Sequence, residues 1–418
     1  MTVTDGQRLT DRGTLVCRGC DAADLTSVLD LGSQPLANEL VSSPDDPESA
    51  FPLHLRSCGG CGLGQVGEFV LPERIFNDYP YLSSVSTSWV AHATRYAQRM
   101  CADLQLTSQD RLVEVASNDG YLLKQFLSEG VQVLGVEPAA NVAKLAEADG
   151  VPTIVSFFGR EVACRIVTEH GHPRLVAANN VMAHVPDLDD FVGGLALLCD
   201  ESTVVTVENP SYVTLLEQTQ FDTIYHEHYS YLSAHAVQRL ALRHALELVR
   251  VEELPTHGGS YRYWLARAGA RPVDASVAAV IEREVEQGLL SPEAWQEFAQ
   301  RSRQTISGLR SWLDERSAAG RRVAGYGAAA KGNTLLNAAG ASATDLVAVV
   351  DGSAEKQGKW LPGSRVPVLV PTALAELAAT DVLVLPWNLA DEIVPLVAAL
   401  APEAQCWAAV PTMTPLAP

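Results

Sequence analysis

Thirteen residues at 221–233, FDTIYHEHYSYLS, hold three tyrosines, two histidines and a glutamate. Imidazole titrates near neutrality and can act as a general base, and a neutral phenol can donate to a developing oxyanion. Read as a strand, the segment would turn Tyr225, Glu227 and Tyr229 one way and His226 and His228 the other. Read as a loop, all of them can converge. Metal catalysis is disfavoured, because the helical HExxH pattern sets its histidines four apart and HEH does not.

Two further constellations carry chemistry. CRGC (Cys17, Cys20) and CGGC (Cys58, Cys61) form a pair of CxxC knuckles whose four thiolates can close a tetrahedron on Zn²⁺. Four sulfur ligands leave no open position, so such a metal stabilises and does not catalyse. The 37 residues between the knuckles exceed the common spacing and must fold back through a small subdomain. Redox chemistry would ask for one pair beside a βαβ unit rather than two. Cys101, Cys164, Cys199 and Cys406 are scattered and read as packing residues. In the last third, GYGAAA (325–330) follows an apolar run and opens a helix, matching the dinucleotide pattern G-x-G-x-x-A. Asp351 ends the next apolar run, where a dinucleotide site places its ribose-binding carboxylate. Lys331, directly after the glycines, and the helix N-terminus suit a diphosphate equally well.

The elements that must position these groups alternate. RLVEVAS (111–117), VQVLGVEP (131–138), TIVSFF, RLVAANNV and STVVTVENP read as strands, with YLLKQFLSEG and NVAKLAEADG as helices between the first of them. Alternation of this kind makes a parallel sheet covered by helices. LELVRVEELP (246–255) and SYRYWLARAG (260–269) form a hairpin through THGG. Residues 271–319 read as helix, interrupted at LLSPE. A second α/β unit follows: strand RRVAGYG, helix AAAKGNTLLNAAG, strand DLVAVVD and strand TDVLVLPW.

A parallel sheet binds its ligand outside the carboxyl ends of its strands. EVASNDGYLL occupies that position after the first strand. Glu114 leads the loop, Asn118 and Asp119 offer hydrogen-bonding side chains, and Gly120 permits close backbone approach. Glu137, ending the next strand, can accept from both hydroxyls of an unphosphorylated ribose. That suits S-adenosylmethionine better than NADP.

The chain has 418 residues, nearly half of them hydrophobic, with a formal charge of −20. Room exists for two to four domains. The acidic balance argues against a nucleic-acid or anionic-membrane partner. No apolar run of about eighteen residues and no leader pattern is present, so a cytoplasmic protein without a membrane partner is expected.

Taken together and in order, the paired CxxC module, EVASNDGYLL, YHEHYSYLS, HGGSYR and GYGAAAKGNT resemble the S-adenosylmethionine-dependent sugar C-methyltransferases, over about residues 14–410. The resemblance implies three α/β parts: a zinc-binding module at 1–75, a Rossmann-like methyltransferase domain at 76–270, and a helical linker with a second Rossmann-like domain at 271–418. It implies methylation of a carbon alpha to the ketone of a nucleotide-linked 4-keto-deoxysugar, with C-3 the usual target and TDP the expected nucleotide. His228 is then the general base, with Glu227 and Tyr225 near the ketone and His184 and Tyr79 at further active-site positions. Cofactor contacts fall to Glu114, Ala116, Asn118, Asp119, Gly120, Glu137 and Asn180. Substrate contacts fall to Ser260, Arg262, Gly327, Lys331, Gly332, Asn333 and Asp351. The rival reading is an NAD-dependent nucleotide-sugar oxidoreductase built on the second glycine loop. It leaves the cysteine module and residues 111–138 without a task.

Overall fold

The computed structural model describes residues 15–76 and 82–417. Contacts group the chain into two compact units, neither of them continuous in sequence. The first contains the residues up to Leu25, Cys58–Tyr212 and Tyr229–Leu290; the second contains Thr26–Ser57, Val213–His228 and Ser291 onward.

The first unit is built on a seven-stranded sheet. Its spatial order is Leu246–Leu254, Ser260–Arg267, Val204–Pro210, Leu175–Asn179, Arg111–Val115, Gln132–Val136, Thr153–Ile154. Five strands are parallel and the hairpin strand Ser260–Arg267 joins Val204–Pro210 antiparallel. Successive residues in these strands enter different apolar clusters: Val113 and Val115 one, Leu112 the other; Val176 and Ala178 one, Leu175 and Ala177 the other. Both faces of the sheet are therefore covered, which explains strands that read as continuous apolar runs. One face takes the helix Thr87–Leu104 through Ala93, Tyr96, Ala97, Met100 and Leu104, a three-and-four spacing. Ser86 caps that helix by accepting from the Trp89 N–H at 3.3 Å. The other cluster includes Cys17, Cys58, Cys61 and Leu63, so the cysteine knuckles are continuous with the core of this unit.

The expected strand TIVSFF reduces to Thr153–Ile154 at the sheet edge, with Val155 51% and Phe157 38% exposed. The break foreseen at LLSPE separates the helices Ala275–Glu286 and Pro292–Ala318. Ser291 caps the second and Pro292 starts it, where the missing N–H costs nothing.

The second unit has a six-stranded sheet in the order Val368–Leu369, Leu346–Val350, Val323–Tyr326, Asp381–Val384, Gln405–Ala408, Thr414–Leu416, parallel except for the last strand. Its first strand in sequence, Val323–Tyr326, lies between Leu346–Val350 and Asp381–Val384, so the chain reverses direction across the sheet at the glycine loop. The stretch between the knuckles supplies two neighbouring strands, Leu25–Pro35 and Ala50–Cys58. Residues 36–41 between them pair with this unit through Val41 and Trp360, with N···O distances of 3.0 and 2.9 Å. Among the described residues, no helix is long and apolar enough to cross a membrane.

Candidate active site

The four knuckle cysteines are free thiols whose sulfurs all lie within 4.8 Å of one another. Cys17 and Cys61 sulfurs are 3.5 Å apart, and those of Cys20 and Cys58 are 3.6 Å apart. A disulfide needs about 2.05 Å. A tetrahedral zinc with sulfurs at about 2.3 Å spaces them by about 3.8 Å. The thiols also compete for protons: hydrogen bonding to Cys17 and then Cys61 pulls Cys58 far down, while Cys17 and Cys61 are pushed up. A divalent cation resolves that competition by letting all four ionise. The donor set fits a closed, structural Zn²⁺ site.

The cofactor loop stands at the carboxyl end of Arg111–Val115, the strand where the connections reverse direction between Gln132–Val136 and Leu175–Asn179. Three non-glycine residues at these strand ends hold left-handed backbone: Ala116 (φ 58°), Asn118 (φ 49°) and Asn180 (φ 52°). Strain concentrated at one sheet edge is a mark of a ligand site. Gly120 also has positive φ, 75°, and an added Cβ would come 3.0 Å from Val151 Cγ2.

Glu137 accepts from the Asn118 and Ala139 N–H groups, both at 2.9 Å. Burial still raises its carboxyl above the ordinary range. Glu114 is pushed well up, first by burial, then by the neighbouring Glu137 and Asp119. Glu114 Oε2, Asp119 Oδ1 and Asn180 Oδ1 are buried acceptors without a protein donor. Carboxyls and orphaned acceptors gathered at one loop fit a ligand rich in donors and carrying positive charge. S-adenosylmethionine offers an ammonium, a sulfonium and two ribose hydroxyls. His184 ends the short turn Met182–His184 after the neighbouring strand, its ring edge-on to Phe76 with centroids 5.6 Å apart. Tyr79 lies outside the described residues.

Ser260 and Arg262, expected near substrate, are both buried in the hairpin strand. Ser260 donates to the Thr256 carbonyl at 2.9 Å. Arg262 donates to Glu208 at 2.6 Å, lies 3.5 Å from Glu252, and sits over the Tyr96 ring. Burial alone would raise Glu208, yet His92 and Arg262 hold it at about 2.

In the second unit, residues 221–228 form a one-turn helix, Phe221–Thr223, followed by a tight turn closed by the His228 N–H on the Tyr225 carbonyl at 3.0 Å. The segment is a loop, so Tyr225 and His228 come together instead of facing apart. Tyr225 Oη lies 2.9 Å from His228 Nε2, and His228 Nδ1 lies 2.9 Å from the Thr223 carbonyl. A carbonyl only accepts, so Nδ1 carries a proton, and in the neutral ring Nε2 then keeps its lone pair. Glu227 is 4% exposed, and burial raises it to about 7 against the opposing pull of Asn38 and Lys356. His226 turns to the Phe51 carbonyl at 3.2 Å, and burial lowers it.

The glycine loop belongs to the same unit. Gly327 has φ 87°, and a Cβ there would strike Pro386 at 2.5 Å. Lys331 Nζ donates to Asn388 Oδ1 at 2.7 Å and lies 4.6 Å from the Trp387 ring centroid. Burial lowers Lys331 while Asp222 opposes that shift. Trp387 donates through Nε1 to Asp222 at 2.7 Å. Burial raises Asp222 to about 6 despite Lys331 and Trp387. Gly332 packs its Cα side against Leu385, which a Cβ would approach to 2.6 Å. Asn333 is buried and donates to the Ala37 carbonyl at 3.2 Å. Asp351 accepts from the Ala328 N–H at 2.7 Å and the Ser353 N–H at 2.8 Å, so its carboxylate braces the loop itself.

Asn38, Asp222, Trp387 and Asn388 were not anticipated from the sequence. Asp222 lies within the run 221–233 and could have been added on proximity, and Trp387 ends the strand run TDVLVLPW; Asn38 and Asn388 stand in segments with no periodic or spacing signal.

Three family models cover most of the chain: "Putative zinc binding domain" at residues 17–76, "Methyltransferase domain" at 90–251 and "C-methyltransferase C-terminal domain" at 255–411. The chain is similar to the C-methyltransferase NovU of Streptomyces niveus, 37% identical over 381 residues, covering 90% of this chain and 91% of that protein. Similar solved structures include magnesium protoporphyrin IX methyltransferase of Synechocystis PCC 6803 with bound SAH, at 12% identity over 43% of this chain and 83% of that one, TM-score 0.35. The PH0226 protein of Pyrococcus horikoshii matches at 11% identity over 47% of this chain and 97% of that one, TM-score 0.35. On the family models and the NovU relationship, the chain belongs to the S-adenosylmethionine-dependent C-methyltransferases that carry an N-terminal zinc-binding module.

Proposed function

We propose that the protein methylates a sugar carbon alpha to a ketone, C-3 of a TDP-linked 4-keto-deoxysugar, in the cytoplasm. The observation that carries this reading is the Thr223–His228–Tyr225 arrangement, which leaves an imidazole with a fixed tautomer and a basic Nε2 beside a phenol. Proton removal from the carbon beside the ketone gives an enolate, and the proton goes to His228 Nε2. Tyr225, freed from Nε2 as that nitrogen is protonated, can donate to the enolate oxygen, as can the protonated fraction of Glu227. When bound, S-adenosylmethionine would supply the electrophilic methyl group for the enolate carbon, with S-adenosylhomocysteine as its leaving group.

Glu114, Ala116, Asn118, Asp119, Gly120, Glu137 and Asn180 are the residues that would hold that cofactor. His184 and Tyr79 are assigned to the active site by family resemblance. In the second unit, the N-terminus of the helix Ala330–Ala338 with Gly327, Lys331 and Gly332 would take the diphosphate, where Lys331 gives an acidic protein its local cation. Asp351 holds the glycine loop in shape, and Asn333 holds the turn at residues 36–39 against its helix. Ser260 and Arg262 serve the sheet beneath the cofactor loop: Glu208, which they brace with Thr256, accepts through its carbonyl the Asn180 N–H at 2.7 Å. Zinc at Cys17, Cys20, Cys58 and Cys61 stabilises the fold.

The test incubates the protein with S-adenosylmethionine and a TDP-linked 4-keto-6-deoxyhexose in deuterated water. A mass gain of one methyl group is expected, together with solvent deuterium entering the adjacent carbon when the cofactor is replaced by S-adenosylhomocysteine. Turnover of NADH with the same sugar and no methyl gain would refute the reading.

A further inference from the structure

Glu227 is a buried carboxyl in a segment where a ketone would be held, and such a group needs a donor of its own. That donor comes from 189 positions away in sequence: Asn38 Nδ2 lies 2.8 and 2.9 Å from the two carboxylate oxygens. Asn38 sits in a tight turn, with the Glu39 N–H on the Leu36 carbonyl at 3.2 Å and Leu36 and Ala37 buried beside it. The turn is pinned at one end by Asn333, which donates to the Ala37 carbonyl at 3.2 Å. At the other end the Val41–Trp360 bridge holds it. The next helical residue, Thr334, donates to the Ile224 carbonyl at 3.2 Å. Two consecutive residues of the glycine-loop helix thus hold the two strands of chain from which Asn38 and Glu227 project. The stretch between the zinc knuckles therefore delivers a side chain to the reaction segment.

We propose that Asn38 is a positioning residue that fixes the Glu227 carboxyl, with Asn333 and Thr334 setting the separation of the two segments. This rests on the reading of residues 221–228 as the reaction segment. A donor shared by both oxygens does two things: it locks the carboxyl plane, and it favours the ionised form, so Asn38→Ala enlarges the protonated fraction and a fall in kcat reports the lost orientation. Besides Asn38, the charged group that acts on Glu227 is Lys356, from the loop after Leu346–Val350.

The experiment compares wild type, Asn38→Ala, Glu227→Gln and the double variant as full-length, zinc-loaded protein. Glutamate labelled with ¹³C at the carboxyl reports Glu227 as the resonance missing in Glu227→Gln. In Asn38→Ala its titration midpoint should rise by about one pH unit or more. The kcat for the TDP-linked 4-keto-6-deoxyhexose should fall about tenfold to a hundredfold, the scale of a lost hydrogen bond to a charged group, while both KM values stay within about threefold. The double variant should be no slower than Glu227→Gln alone. An unmoved carboxyl midpoint, or losses that multiply in the double variant, would overturn the assignment. If wild type methylates nothing, the function reading falls, and the carboxyl midpoint alone then decides for or against Asn38. Asn38→Ser enters the same comparison if Asn38→Ala folds poorly by melting temperature and zinc content.

Discussion

Arg262 Nη2 and Glu208 Oε2 meet at 2.6 Å with their side chains 4% and 0% exposed, an ion pair sealed beneath the strand end that carries Asn180. Removing one partner of such a pair leaves an uncompensated buried charge. Arg262→Met is expected to lower the unfolding free energy of the first unit by about 3–5 kcal/mol. Denaturant titration checks this. A variant that unfolds like wild type but binds the sugar poorly would return Arg262 to direct substrate contact.

His228→Asn keeps the size and polarity of the ring but loses the basic nitrogen. The expected fall in kcat is about 10²- to 10⁴-fold, with equal loss of solvent deuterium exchange into the sugar. Tyr225→Phe should cost less, about tenfold or more, because it removes one hydrogen-bond donor. Isothermal titration with S-adenosylhomocysteine should show cofactor affinity unchanged in both. Full exchange with no methylation in His228→Asn would assign proton removal elsewhere.

Lys331 is held by Asn388 and the Trp387 face. Lys331→Met should weaken binding of TDP, a sugar-free probe, by about 1.5–3 kcal/mol. Binding that stays unchanged would place the diphosphate elsewhere. The loss should shrink as salt rises, since the contact is charged.

Cys58 lies 3.6 Å from Cys20 within a cluster continuous with the apolar core of the first unit. Cys58→Ser, or prolonged chelation, should release one equivalent of zinc and lower the melting temperature. Whatever protein remains folded should keep its KM for S-adenosylmethionine. Metal analysis and thermal melts read the two outcomes, and normal folding after complete zinc loss would contradict a structural metal.

Glu284 is buried and accepts from the Ala234 and His235 N–H groups at 2.8 and 2.9 Å. Burial raises it from 4.5 to about 7. Its folded pKa exceeds its unfolded value, so the fold binds this proton more tightly. The contribution is complete below about pH 4.5 and is lost as pH rises through about 7. A loss of up to about 3 kcal/mol follows from that difference. Unfolding at pH 5 and pH 8 should show the decline in wild type, and a smaller one in Glu284→Gln. Equal slopes would assign the pH dependence to other groups.

The first sheet with its hairpin, and the strands Val323–Tyr326, Leu346–Val350 and Asp381–Val384 of the second, were legible because a strand buried on both faces leaves a continuous apolar run, and such runs are local; Val368–Leu369 and Thr414–Leu416 are too short to leave one, and Gln405–Ala408 went unread. The knuckle cysteines and the two glycine loops were legible for the same reason: each is a short spacing that one turn of backbone imposes. The helix Thr87–Leu104 went unread even though Ala93, Tyr96, Ala97, Met100 and Leu104 carry its period. The period was visible, but the stretch is only weakly apolar. For residues 225–228 the sequence left a strand and a loop equally open, and one hydrogen bond from His228 to the Tyr225 carbonyl decides for the loop.

Residue types and order thus specify which elements form and which chemistry is on hand. Packing alone assigns partners: Arg262 goes to Glu208, Asn333 to the Ala37 carbonyl, Asn38 to Glu227. The cause is the range of the forces involved. Backbone periodicity acts over a few residues and leaves its trace in the linear pattern. A hydrogen bond between side chains 189 positions apart leaves none, because it exists only once the chain between them has folded.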